Sequence, residues 1–578
     1  MAPAADAAHR PEQAVPVTDA PPTAPLRSPD EVMRLARLGS FFPTRLSFMP
    51  TLIRRLSDER WTIEVTRRAL DRDGYGHVVV AARGPRRTYS LVAFSHALDP
   101  ARRSDRVIAD AWDATFVLYD GVPTADEVAR LSQAAPRQEA ARYRASDLVL
   151  SRANRSVRFF DHVVARLSAG EQPDPALVAS VGYLMRTTAV YGNGKFGIAD
   201  RARLEANGDL VGPFEAEMLS VYLIRLFSFE LVDHIARMRA PGTAVPLARE
   251  VRRRLGMGNA TGLGMAPFLV NHPVLVNNWI LARETALARV RAVERAEPWR
   301  IDRFRTLLAA ARAHADEWCT DDVRQQNRIE TLRADLARLE DWIGSIDMLT
   351  AARPWDRLHT FAEEAVSLEA QECLVSLAIE PYGDLVDDLA DGMGAPPASA
   401  RIEPAMTVAA LAAHLARDYG WALARDLADP RERSLFWYVS EEKLEPRLGN
   451  RFEEDGADRE RPFDVAGQAQ ALAAELARWP GEALVAELVL ARPDLRHVVR
   501  RVQTTARHPY AEIRDSLVAA DCLPIDLLRC KLSFFGACRF DPKSDRWTRI
   551  TLFAGAPLPD ELASAGTDWH VLAPLGTA

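Results

Sequence analysis

Hydrophobic and polar positions change their period twice along this chain. Residues 30–38 and 51–56 carry short helical patterns. Trp61, Ile63 and Val65 then alternate with polar neighbours, the period of a half-buried strand. Turn residues Asp73-Gly74 and Gly84-Pro85 bracket a strand over 77–82, and 88–95 reads as the next. Residues 106–111 and 115–119 continue the pattern, so the spacing predicts an antiparallel meander. From about Ser146 to Leu427 the period is helical. Phe159, His162, Val163 and Leu167 share one helix, and 177–190 also reads as helical. Residues 215–238 are apolar on nearly every side, as a central helix must be, with Pro213 placed to start it. Residues 265–295 read as a second long helix, kinked at Pro273. Ile329, Leu332, Leu336, Leu339 and Ile343 fall at heptad spacing within 301–343. Two heptads are short for a coiled coil, so that segment predicts an antiparallel helical hairpin. Residues 392–399 (GMGAPPAS) read as a linker. Residues 434–439 and 531–540 then read as strands, 541–545 as a turn, and 547–553 as the returning strand of a hairpin.

The fold class expected from this order is α+β with a predominantly helical centre. An N-terminal antiparallel β meander with helices would occupy 29–150. A helical, bundle-like domain carrying glycine-rich loops would occupy 151–391, and an α+β domain with a β-hairpin 400–578. The first 28 residues, rich in Pro and Ala, read as a disordered tail without a secretory core.

Composition narrows the function classes. With 48% hydrophobic and 26% charged residues the chain has the make-up of a soluble globular protein. A net charge of −7 leaves no basic footprint, so no nucleic-acid partner is expected. No run of about 20 uncharged apolar residues occurs, so no membrane partner is expected either. Five scattered cysteines form no CxxC pair and suggest neither a zinc site nor a disulfide framework. A reducing, cytoplasmic setting fits.

The informative bias is in lysine and asparagine. Only four of the 73 basic residues are lysine: Lys195, Lys443, Lys531 and Lys543. Only nine asparagines occur, and five of them fall in two glycine-rich stretches, 191–201 and 252–279. In a chain that otherwise uses Arg and Ala, a lysine or asparagine that persists is more plausibly there for its own chemistry.

The first stretch places Tyr191, Gly192, Asn193, Gly194, Lys195 and Gly197 together. Its glycines match a bare G-x-G-x-x-G, which needs a preceding strand to bind a dinucleotide. Because 177–190 reads as helical, that site is not expected. What remains is a loop whose backbone N–H groups can hold an anion beside one lysine. Lysine, unlike arginine, can also act as a base or nucleophile. In the second stretch Asn259, Thr261, Gly262 and Gly264 precede a helix, whose free N–H groups and dipole favour an anion. Asn271 and Asn278, seven apart, would share a helical face, with His272 beside it as a general acid or base. Glu230 and His234 have a ligand-like i,i+4 spacing next to Asp233. The matching Glu-x-x-His motifs of a di-metal bundle are absent, so no metal is expected. No recognised cofactor motif appears, which leaves any cofactor unknown.

The leading expectation is a metabolic enzyme acting on a small anionic metabolite, a carboxylate or phosphate, by elimination, isomerisation or hydrolysis. Lys195 and His272 would be catalytic. Tyr191, Gly192, Asn193, Gly194, Gly197, Asn259, Thr261, Gly262, Gly264, Asn271 and Asn278 would bind the substrate. The alternative is a non-catalytic, helix-rich interaction or regulatory protein in which these loops are turns. Under either reading the helices of 301–343 offer a homo-oligomer contact.

Overall fold

The computed structural model describes residues 23–99, 101, 112–136, 144–187, 208–259, 269, 272–394, 402–429, 465–514, 523–537, 548–564 and 566, with shorter pieces at 437–440, 446–448, 460–463, 539–542 and 569–570. Twelve strands lie within them: β1 (Thr62–Leu70), β2 (Gly76–Arg83), β3 (Thr88–Ser95), β4 (Ala114–Asp120), β5 (Asp147–Arg155), β6 (Tyr183–Thr187), β7 (Gly256–Asn259), β8 (Trp437–Ser440), β9 (Pro446–Leu448), β10 (Glu460–Phe463), β11 (Arg539–Pro542) and β12 (Thr548–Leu552). Nine of them form one sheet in the order β1-β2-β3-β4-β5-β6-β7-β12-β11, and β10-β8-β9 form a small second sheet. Within the large sheet every described pairing is antiparallel except β6 with β7, which is parallel.

The meander forms as its alternation predicts. Val78, Val80, Leu91, Ala93, Phe116 and Leu118 face one layer, where Phe116 meets Phe227 of the central helix Pro213–Arg239 at 5.5 Å. Val79, Val92, Phe94 and Val117 face the other, packed with Val128 and Leu131 of the helix Ala125–Ala134. Thr124 starts that helix by accepting a hydrogen bond from the N–H of Glu127. The central helix is buried nearly all round, since it lies against the sheet and the helices Phe48–Asp58 and Phe160–Ser168. The mixed helix and strand content agrees with the α+β expectation.

Several local expectations are corrected. Residues 177–190 do not continue as a helix: the helix Pro175–Val181 stops at Gly182, whose φ of 75° is the left-handed C-terminal stop, and β6 follows. β5 also lies inside the stretch expected to be helical. Residues 256–259, read as loop, are β7. Residues 531–535, read as strand, close the helix Pro524–Phe535, and Gly536 (φ 95°) precedes β11. All four are short apolar or glycine-rich runs that carry no decisive period. Pro273 does not kink a helix but starts one, Pro273–Arg291, with His272 at the non-helical cap position. The strand expected at 106–111 and the linker after Gly394 lie outside the described residues.

The segment 301–343 is two helices, Pro298–Glu317 and Val323–Ser345. Arg333 of the second donates to the carbonyls of Ala315 and Trp318 at the end of the first. All five heptad residues are buried within the chain. At the N-terminus, Arg27 is buried and reaches two carboxylates, Glu284 at 2.7 and 2.9 Å and Glu372 at 2.7 Å.

Candidate functional site

The parallel strand β6 ends four residues before the first glycine-rich stretch, and its partner β7 lies within the second. The chain leaves β6 at Thr187, four residues before Tyr191, and leaves β7 at Asn259. These two exits are neighbours, because the Asn259 side-chain amide donates to the Thr187 carbonyl at 3.2 Å. In open sheets, ligand crevices form beyond the carboxyl ends of parallel strands, where adjacent loops diverge. Tyr191, Gly192, Asn193, Gly194, Lys195, Gly197, Thr261, Gly262, Gly264 and Asn271 lie outside the described residues.

A buried lysine approaches the same point. The helix Pro524–Phe535 packs by Phe534 and Phe535 against Phe214 at the start of the central helix (5.2 and 5.8 Å), and by Phe534 against Trp279 (5.1 Å). One turn back, Lys531 is 1% exposed, and its Nζ donates to Asn259 Oδ1. Burial pushes this amine well below the usual lysine range. Asn259 therefore links the amine to the end of β6, with its Oδ1 toward Lys531 and its Nδ2 toward Thr187. A deprotonated amine in this position can accept a proton.

The frame that holds β7 is explicit. Arg225 of the central helix donates to the carbonyls of Leu255 (2.6 Å), Arg252 (2.8 Å), Arg253 (3.3 Å) and Ala556 (3.0 Å). It thereby caps the helix Arg249–Arg254 and ties β7 to the chain after β12. Burial pulls this guanidinium down to about 10. Gly256 and Gly258 serve packing. A Cβ at Gly256 would lie 2.1 Å from the Leu552 carbonyl oxygen, and one at Gly258 would lie 2.6 Å from the Tyr183 ring. The glycines at the start of the second stretch thus let strands and a ring close up, rather than admitting a ligand.

Glu217 lies on the second turn of the central helix, one turn after Phe214 and two turns before Arg225. Phe214 meets the helix Pro524–Phe535 and Arg225 holds the approach to β7, while Glu217 itself is half-buried. Desolvation pushes its carboxyl well above the ordinary range, and it has no hydrogen bond or ion pair among the described residues. A carboxyl kept protonated can serve as an acid. Sequence reasoning missed both groups. Lys531 stood among the four lysines but was assigned to a strand, and Glu217 was absorbed into an apolar helix.

His272 is half-buried at the cap of its helix. Asn278 is half-buried and accepts from the Asn277 amide at 3.2 Å. The buried asparagine is Asn277, whose Oδ1 accepts from the Tyr510 N–H at 3.0 Å and whose amide lies 3.4 Å from His508 Nδ1. The helix that holds Asn278 starts at Pro273, and Asn271 lies outside the described residues. Glu230 pairs with Arg68, Asp233 with Arg252, and His234 Nε2 meets the Asp71 carbonyl at 2.7 Å. No group of three metal-ligating side chains occurs among the described residues. No family model, no curated protein and no solved structure matches this chain.

Proposed function

We propose that this chain is an enzyme that acts on a small carboxylate or phosphate by proton transfer at the carboxyl ends of β6 and β7. The observation that supports it is the meeting of Thr187, Asn259 and buried Lys531 where the chain leaves β6 and β7. Lys531 is the base in this reading, and Asn259 orients it. Lys195 anchors the anion, Tyr191, Gly192, Asn193, Gly194 and Gly197 line its loop, and Thr261, Gly262 and Gly264 offer donors from the other. His272 and Glu217 are the proton donors. Elimination, isomerisation and hydrolysis need no more than a base, an acid and an anion anchor.

A second reading keeps the chain non-catalytic. The packing roles of Gly256, Gly258 and Asn277 favour it. Thermal shift against small carboxylates and phosphates separates the two, using wild type, Lys531→Met and Lys195→Ala. A ligand at about 100 times its Kd adds about 2.7 kcal/mol of stability. The proposal expects a wild-type shift that both variants lose. A shift that survives both substitutions places the ligand elsewhere, and no shift with any ligand favours the interaction protein.

A further inference from the structure

A separate cavity of about 850 Å³ opens at the free edge of the large sheet, beside β1. None of Thr187, Asn259 or Lys531 lines it. Most of its lining residues are apolar, Leu56, Trp61, Ile63, Leu226, Phe229 and Leu562 among them, and the carboxylates Glu64, Glu230 and Asp560 also line it. This volume lies inside the roughly 300–1,000 Å³ that small-molecule pockets span.

The charges around it single out one residue. Glu64 pairs with Arg83, Glu230 with Arg68, Arg252 with Asp233, and Arg249 with Asp560 at 2.7 Å. Arg60 alone among the charged lining residues makes no side-chain hydrogen bond or ion pair among the described residues. Its backbone is also unusual. The helix Phe48–Asp58 ends with the Arg60 N–H bonded to the Ser57 carbonyl (3.0 Å) and the Trp61 N–H to the Leu56 carbonyl (2.9 Å). That is the Schellman stop, whose left-handed position normally takes glycine. Here it holds an arginine at φ 56°. An L side chain in that conformation costs stability, so a glycine would serve the turn better, while an arginine puts a cation at the cavity.

We propose that this cavity binds a small amphipathic organic anion, with its apolar body against Ile63 and Val65 and its single carboxylate on Arg60. An exposed cation beside half-buried apolar side chains matches one negative head on an apolar chain. A strand added to the β1 edge fits less well, because the register shifts between Val65 and Arg67 and breaks the ladder such a strand would need.

Calorimetric titration of the full chain with decanoate and with decanol tests this. Wild type binds one decanoate. Arg60→Gly weakens decanoate by about fivefold, the size of an exposed charge pair, and leaves decanol unchanged. The same variant does not lower Tm, since glycine suits the left-handed turn. Ile63→Trp fills the cavity and weakens both ligands. Decanoate that binds Arg60→Gly as tightly as wild type overturns the proposal. So does wild type that fails to bind decanoate, or binding unchanged in a folded Ile63→Trp. Should Ile63→Trp lower Tm, the Arg60→Gly comparison of decanoate with decanol decides alone.

Discussion

Arg27 and Lys531 are both buried cations, 4% exposed at the side chain and 1% exposed respectively, and they are held in opposite ways. Arg27 sits between two carboxylates, Glu284 and Glu372, and Arg283 and Arg37 also approach Glu372. Lys531 donates to the oxygen of a neutral amide, Asn259. Desolvation works against the charge in both places. At Arg27 the two carboxylates outweigh it and raise the guanidinium further. Desolvation alone would raise the Glu372 carboxyl, but Arg27 and then Arg283 hold it below its ordinary range. At Lys531 desolvation prevails, and the amine falls well below its ordinary range. A cation buried with its counter-charges is architecture, costly to break once built. A lysine buried against an amide is driven toward its neutral form.

The comparison is broken most easily at Glu372. Glu372→Gln removes one of the carboxylates from Arg27 while Arg283, whose Nε and Nη2 already lack hydrogen bonds, stays buried beside it. The expected cost is about 3 kcal/mol, read from urea unfolding at neutral pH. Because the folded carboxyl is depressed, its contribution is complete above the unfolded value of about 4.3 and is lost as pH falls through the folded one. The gap between wild type and variant should therefore close on acidification below about pH 4.3. A cost under about 1 kcal/mol would mean that the cage is no more than a surface ion pair.

Lys531→Met asks the opposite question. Methionine fills similar space and has no proton to lose on folding, so the variant should be more stable than wild type at neutral pH. The pH dependence is sharper. A lysine depressed in the fold binds its proton only in the unfolded chain between its folded value and about 10.4. Across that window wild type gains on Lys531→Met by about 1.4 kcal/mol per pH unit. A gap that stays flat from neutrality to pH 10 would show a charged amine, and the contrast with Arg27 would vanish.

The meander was legible because its alternation is regular and its turns are marked. The strand expected over 88–95 is β3 to the residue, and Asp73-Gly74 makes the expected turn. The heptad leucines and isoleucines were legible as core for the same reason. β6, β7 and the helix that carries Lys531 were not. Each is a short run without a period of its own, and β7 pairs with β12 nearly three hundred residues away, a contact no local pattern encodes. Asn259 was found because asparagine is rare in this chain, and Lys531 was on the corresponding short list of lysines. Placing Lys531 against Asn259 required the tertiary fold. Glu217 could not be read at all, since a glutamate in a helix is ordinarily a solvated one.

The smallest effect marks where the Arg27 cage ends. Arg37 approaches the same Glu372 oxygen at 3.4 Å and also pairs with Glu31 at 3.4 Å, but it keeps contact with solvent. Long, partly solvated pairs of this kind contribute about 0.5–1 kcal/mol. Arg37→Ala should therefore cost about that much, and 1 M salt should remove most of it, since screening then acts over about 3 Å. The Glu372→Gln cost should survive the same salt, because its partners are shut away from the ions. Equal costs for the two substitutions would mean that Arg37 belongs to the cage. The buried unit would then be a shared network of three arginines and two carboxylates, and Arg27 alone would be the wrong partner to set against Lys531.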